Sequence, residues 1–211
     1  MSTFSSEDIV EMENRFRANF INSISGFKSA NLIGTVNGEG QTNLAIFSSV
    51  IHIGANPPLI GLIMRPITVD RHTYDNIIAK RFYTINALPT SMLEDGHKTS
   101  AKYLKEESEF DKTEFTPEVN KFGVPCVKES PISLTCLLRS DELIQLNQTR
   151  LIIGEVKEVK LNSEHLHKDG FYDLAEAGVA AISGMDSYHA AARGSRLSYA
   201  KPDQDITLLT E

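Results

Sequence analysis

Residues Asn31 to Asn86 read NLIGTVNGEGQTNLAIFSSVIHIGANPPLIGLIMRPITVDRHTYDNIIAKRFYTIN. Asn31–Val36 and Thr42–Phe47 are short strands, and Asn37-Gly38 between them is a strong hairpin signal because the turn needs positive φ. Glu39-Gly40 lengthens that loop. The second strand leaves through Phe47-Ser48-Ser49, and Pro57-Pro58 leads into a near-continuous apolar strand, Leu59–Met64, that ends at Arg65. Asp70-Arg71-His72-Thr73 then opens a helix over 73–80, and Phe82–Ala87 is strand again. Two arginines, a histidine and the hydroxyls of Ser48, Ser49 and Thr73 thus gather where strands end and a helix begins. A helix start offers free N–H groups and partial positive charge, a setting an anionic, planar cofactor can use. Spacing alone leaves a second reading open, in which Asp70 caps the helix and Arg65 and Arg71 are solvated.

Outward from this stretch the pattern stays β-rich. Before it, Ser5 or Ser6 caps one helix with Ile9, Met12, Phe16, Phe20 and Ile24 at helical spacing, stopped near Gly26. Its apolar stripe is expected to pack on the body of the domain or on a partner subunit. After it, Ser91–Glu107 is polar and helical, and 108–125 reads as surface loop. Ile132–Leu138 and Leu151–Leu161 are strands, Asn162–Gly178 is irregular, and Val179–Ser183 is a last short strand before the tail SGMDSYHAAARGSRLSYAKPD. Short helices inserted among strands argue against a doubly wound parallel sheet and for a small, mainly β barrel with decorations.

Composition narrows the function classes. The 211 residues suffice for one well-buried domain, and hydrophobic and charged fractions of 41% and 23% are those of a globular protein. A net charge of -7, with no basic stripe to offset it, disfavours nucleic acid. No apolar run is long enough to span a bilayer, and the acidic, amphipathic start is no secretion signal, so the expected compartment is the cytoplasm with no membrane partner. Cys126 and Cys136 are read as reduced, partly buried thiols rather than a redox pair.

P-loop, G-x-G-x-x-G, G-x-S-x-G and H-E-x-x-H signatures are all absent. His165-Leu166-His167 brings two imidazoles that point apart in an extended segment with no third ligand, so no metal is expected. Asn43 is either a turn-adjacent polar residue or an amide facing a heteroaromatic ring. Ala45 is small enough to admit a flat ring to the backbone. Tyr188-His189 is either a cover for a cofactor or an ordinary packing pair.

The run N-L-A-I-F-S-S, then N-P-P-L-I-G-L, then R-H-T-Y-D-N-I with Tyr83-Thr84-Ile85-Asn86, resembles the flavin reductase-like, FMN-binding split-barrel family. E-S-E-F (Glu107–Phe110), K-E-S-P-I-S-L-T-C (Lys128–Cys136), I-I-G-E-V (Ile152–Val156) and S-G-M-D-S-Y-H (Ser183–His189) follow in the family's order, so the likeness spans about Asn31 to Asp203. It implies one Greek-key split-barrel domain over 1–211, with an N-terminal helix in 1–26 and a C-terminal extension in 184–211. It also implies a homodimer with FMN near the subunit interface. Asn43, Ala45, Phe47, Ser48 and Ser49 would line the ring and ribityl chain. Arg65, Arg71, His72 and Thr73 would hold the phosphate, with Asn76 in support. Tyr188 and His189 would approach from the tail, His189 being the one catalytic candidate. The implied activity passes electrons from NAD(P)H through FMN to an acceptor; the alternative is an FMN-binding electron carrier without its own NAD(P)H turnover. One departure bears on that choice. Short flavin reductases often carry Gly-Asp-His before the I-I-G-E-V strand, and here Asn147-Gln148-Thr149 stands in its place. In this the chain is more similar to the flavoredoxin-type branch.

Overall fold

The computed structural model of the chain describes residues 1–209; residues 210 and 211, the end of the expected C-terminal extension, lie outside the described residues. Two helices come first, α1 (Ser6–Glu11) and α2 (Asn14–Ile24), where the periodicity predicts one. Ser5 caps α1 reciprocally: its hydroxyl accepts from the Asp8 N–H at 3.1 Å, and Asp8 accepts from the Ser5 N–H at 2.7 Å. The break comes from Glu13, whose carboxylate accepts from the N–H groups of Arg15 and Phe16, both at 2.9 Å, and so restarts the helix. Neither helix buries a residue within this chain, and Phe16, Ile24 and Phe27 remain exposed.

The strands and remaining helices follow in order: β1 (Lys28–Ser29), β2 (Asn31–Val36), β3 (Thr42–Phe47), β4 (Val50–Ala55), β5 (Pro58–Met64), α3 (His72–Lys80), β6 (Phe82–Ala87), α4 (Leu93–Lys98), β7 (Pro117–Val119), β8 (Pro125–Val127), β9 (Ile132–Ile144), β10 (Thr149–Leu161), β11 (Ala180–Ser183) and β12 (Ser187–Ala190). The main sheet has the spatial order β3-β2-β6-β9-β10-β5-β4, antiparallel throughout. Its two edge strands, β3 and β4, are consecutive in the chain, with only Ser48-Ser49 between them. The sheet must therefore curl round on itself, and Ser49 pins the corner. Its carbonyl accepts from the Ile63 N–H at 3.3 Å and its hydroxyl donates to the Ile63 carbonyl at 2.9 Å.

Alternation along the strands sends side chains to two cores. Ile33, Leu62, Met64, Ile77, Tyr83, Cys136 and Ile152 fill one, with α3 contributing Ile77. Leu32, Leu44, Leu88, Phe110, Val127 and Ile182 fill the other, under the small sheet β1-β11-β12. This is why β2 is buried at every position.

Several expectations change. The β2–β3 loop places its positive φ at Gly40 (+87°), with no such angle at Gly38, because the Asn37 side-chain oxygen accepts from the N–H groups of Glu39 and Gln41 at 2.9 Å each and carries the turn one step further. Ser91–Glu107 holds only α4 as α-helix, preceded by a 3₁₀ turn at Thr90–Met92. The expected loop at 108–125 contains a 3₁₀ turn, Glu109–Lys112, and β7. Strands β4 and β12 were not expected, and β9 continues well past Leu138. Among the described residues no helix is long and apolar enough to cross a membrane.

Candidate functional site

The start of α3 is the centre of the site. Arg71 precedes its first turn, and no side chain caps it, so the leading N–H groups keep their capacity to donate. The Arg71 Nε is buried with no hydrogen-bond partner. Neither Arg71 nor Arg65 takes part in any ion pair among the described residues, in a chain where most of the other arginines have found one or a carbonyl. A buried, unpaired guanidinium N–H is costly unless something else accepts from it. Arg65 is exposed just beyond the end of β5.

Thr73 is buried on the first turn of α3, and its hydroxyl oxygen accepts from the Asn43 amide at 3.0 Å. That bond ties β3 to α3 and leaves the Thr73 hydrogen free to donate elsewhere. Asn76, one turn on, donates to the Thr35 hydroxyl at 3.1 Å and anchors α3 on β2. Asn43, His72 and Asn76 line a cleft of about 310 Å³ together with Asn37, Gly38 and Gln41 of the hairpin, Asp70 and Asp75, and Lys105 and Glu107. Ala45 and Phe47 follow Asn43 along β3 with partly exposed side chains, and Phe47 packs on the barrel core. Ser48 and Ser49 sit at the corner after β3, with the Ser49 hydroxyl already committed to Ile63.

The expected residues thus fall into two groups. Asn43, His72, Thr73 and Asn76 are joined by hydrogen bonds or a shared cleft, with Arg71 adjoining them in the chain. Ser48, Ser49 and Arg65 mark the neighbouring strand ends. Tyr188 and His189 belong to neither group: they lie on β12. The Tyr188 hydroxyl meets His97 Nδ1 at 3.0 Å. His189 Nε2 lies 2.9 Å from the Ser183 hydroxyl and 3.3 Å from that of Ser187, with its ring edge-on to Phe27. No hydrogen bond or ring contact among the described residues links them to the α3 start.

Glu109 is the residue the sequence reading passed over. It is buried, and its carboxylate accepts from the Leu44 N–H on edge strand β3 at 2.8 Å. Burial pushes its pKa above the usual carboxylate value, against the opposing pull of that N–H and of nearby His72. It lies in the E-S-E-F run, whose resemblance to the family implies no role for it. The two thiols are free and both are buried, Cys136 completely, and burial pushes Cys136 up to about 12, which keeps it a neutral thiol. Among the described residues no group of His, Cys, Asp or Glu could hold a metal ion.

Comparison with known proteins gives the family and the fold. Residues 24–175 match the family model described as flavin reductase like domain. A split-barrel protein from Shewanella frigidimarina NCIMB 400, provisionally assigned as a flavin reductase, superposes with a TM-score of 0.91. It is 48% identical, over 95% of this chain and 100% of its own. Nitrilotriacetate monooxygenase component B from Bacillus cereus (22% identity, TM-score 0.79, 92% of this chain and 97% of its own) shares the fold. So does the flavoredoxin of Desulfovibrio vulgaris (Miyazaki F) (21% identity, TM-score 0.68, 84% and 91%). The mainly β architecture with short helices is the split barrel of these structures.

Proposed function

The chain belongs to the flavin reductase-like domain family, and from that premise we propose that it is an FMN-binding oxidoreductase that passes electrons from NAD(P)H through FMN to an acceptor. The observation that carries the reading is the buried Arg71 Nε, which has no acceptor among the described residues. A phosphate supplies that acceptor, and the uncapped α3 start adds N–H donors and partial positive charge on the same side. The residues present therefore fit the group. Arg71, Thr73 and His72 would hold the phosphate, with Arg65 adding charge and Asn76 holding α3 in place. Asn43 keeps the Thr73 hydroxyl oriented. Ala45 leaves room for a flat ring against β3, flanked by Phe47 and Ser48, while Ser49 fixes the corner.

When bound, FMN supplies the hydride-accepting and electron-donating chemistry. The protein's part is to bind, orient and exclude water, so no nucleophile or triad is required. A homodimer is part of this proposal. Phe16, Ile24 and Phe27 are unburied by this chain's own body, and a second copy would cover them and bring Tyr188 and His189 to its partner's ring. His189 remains the catalytic candidate on that reading.

A second reading, an FMN-binding electron carrier without NAD(P)H turnover, is favoured by one observation. The position of the Gly-Asp-His of short flavin reductases is the tight turn between β9 and β10, with Asn147, Gln148 (φ +61°) and Thr149. The deciding experiment is an absorption spectrum of the purified protein with added FMN, before and after NADH or NADPH. Flavin bands that bleach with the nicotinamide support the reductase, bound flavin that does not bleach supports the carrier, and a protein that ignores FMN removes both.

A further inference from the structure

Three side-chain bonds set where the start of α3 lies. Thr73 is bonded to Asn43 of β3 and Asn76 to Thr35 of β2, so both hold the helix to the β3–β2 end of the main sheet. Tyr74 ties it to β9, beyond β6 in the strand order: its hydroxyl donates to Asp141 Oδ2 at 2.8 Å. The far end of the helix has its own ties to β9, since Arg81 and Leu138 exchange bonds. Among the described residues Tyr74 makes the one side-chain hydrogen bond from the first turn of α3 to β9.

Asp141 is itself fixed. Arg150 of β10 grips it with two bonds, Nε to Oδ1 at 2.6 Å and Nη2 to Oδ2 at 2.8 Å. The same guanidinium lies 5.6 Å from the centre of the Tyr74 ring. In the ladder Arg150 stands opposite Met64 of β5, the residue before Arg65. The network therefore joins the strand end that carries Arg65 to the helix turn that carries His72 and Thr73, with Arg71 just before it. Burial, then the bond to Asp141, push the Tyr74 pKa above its ordinary value, so the hydroxyl stays a donor.

On the flavin reading above, we infer that Tyr74 is a positioning residue for the FMN phosphate: bonded to an Asp141 that Arg150 immobilises, it fixes the first turn of α3 against the end of β5. An anion at a helix start is held by several donors at once, and each bond weakens steeply as its angle opens. Tyr74 shares the turn with those donors, so a small tilt moves Arg71, Thr73 and the leading N–H groups together. The Arg150 and Asp141 side chains keep 24% and 17% exposure. Partly solvated pairs of this kind add modestly to global stability, so the effect expected is local to the site.

The test is Tyr74→Phe, which keeps the ring, its packing and its contact with Arg150 and removes only the donor. Fluorescence titration gives the Kd for FMN and for riboflavin, which lacks the phosphate, and phosphorus NMR of the FMN-loaded protein reports on the phosphate itself. Positioning predicts an FMN Kd about five- to tenfold higher, an unchanged riboflavin Kd, and a bound phosphorus resonance displaced from its wild-type position. Asp141→Ala should weaken FMN at least as much, and adding Tyr74→Phe to it should cost nothing further, because the hydroxyl has then lost its acceptor. An unchanged FMN Kd and resonance in Tyr74→Phe, equal losses for FMN and riboflavin, or additive losses in the double variant overturn the positioning role and leave flavin binding standing. A Tyr74→Phe protein whose thermal unfolding shows no folded state assigns the hydroxyl to the fold and overturns it too. A wild-type protein that binds neither flavin overturns both readings.

Discussion

Arg71→Ala should move two quantities in opposite directions. With no ligand the guanidinium Nε is a buried donor without a partner. Such a group costs about 1–3 kcal/mol relative to a satisfied one. Truncation removes that cost but also removes the packing of the side-chain stem, since Arg71 is half-buried. The flavin-free protein should therefore change by no more than about 1 kcal/mol, with a gain as the expected sign. With FMN present the same truncation deletes a charge-assisted contact to the phosphate, at about 1.5–3 kcal/mol. That corresponds to roughly a tenfold to 150-fold rise in Kd. Urea unfolding of the flavin-free protein measures the first quantity and fluorescence titration with FMN the second. Riboflavin, which lacks the phosphate, is the control and should bind wild type and variant alike. An unchanged FMN Kd, or an equal loss for riboflavin, would refute the phosphate assignment. A large loss of stability without ligand would mean that Arg71 serves the fold instead.

Three further outcomes follow from buried groups. The Tyr83 hydroxyl is fully buried without a partner, so Tyr83→Phe should be neutral or stabilising. An alanine Cβ at Gly154 would lie 2.1 Å from that hydroxyl and 2.9 Å from the ring carbon bearing it. Gly154→Ala should therefore cost about 1–3 kcal/mol in the wild type and less in the Tyr83→Phe background, a coupling read from a double-mutant unfolding cycle; strict additivity would count against the clash. Because burial raises the folded-state pKa of Glu109, the stability it contributes is present below its unfolded value near 4.5 and lost as pH rises through the folded value. Glu109→Gln keeps an oxygen for the Leu44 N–H without the buried charge, so the variant should gain on the wild type between pH 4 and 7, and a gap that narrows over that range would show the sign to be wrong.

How much the sequence discloses depends on what holds each element. The expected and observed ranges of β2 and β3 agree to the residue because burial and alternation dictate both ends. β9 was read only to Leu138 because its remainder, including Ser140, Asp141 and Glu142, is held by ladder bonds to β10 and not by burial. β4 escaped for a related reason. It is an edge strand whose Ile51 and Ile53 face solvent, so its apolar residues carried no core signal. The helix break at Glu13 was invisible because the apolar spacing continues across it, while a single carboxylate re-caps the chain.

The site follows the same logic one level up. Spacing showed that Arg65, Arg71, His72 and Thr73 gather at a strand end and a helix start, but a solvated surface has the same spacing. What separates the two is whether a carboxylate comes to meet the cation, and that depends on parts of the chain far away. Arg150 has the same chemistry as Arg71 and meets Asp141 at 2.6 Å across β9 and β10; it is structural. Arg71 meets no carboxylate among the described residues, in a chain whose acids outnumber its bases by 28 to 21. An excess of acid makes a buried guanidinium Nε without an acceptor harder to explain as accident. The absence of a partner among the described residues cannot be read in one dimension, and it is this feature that supports the proposed phosphate site over a solvated surface.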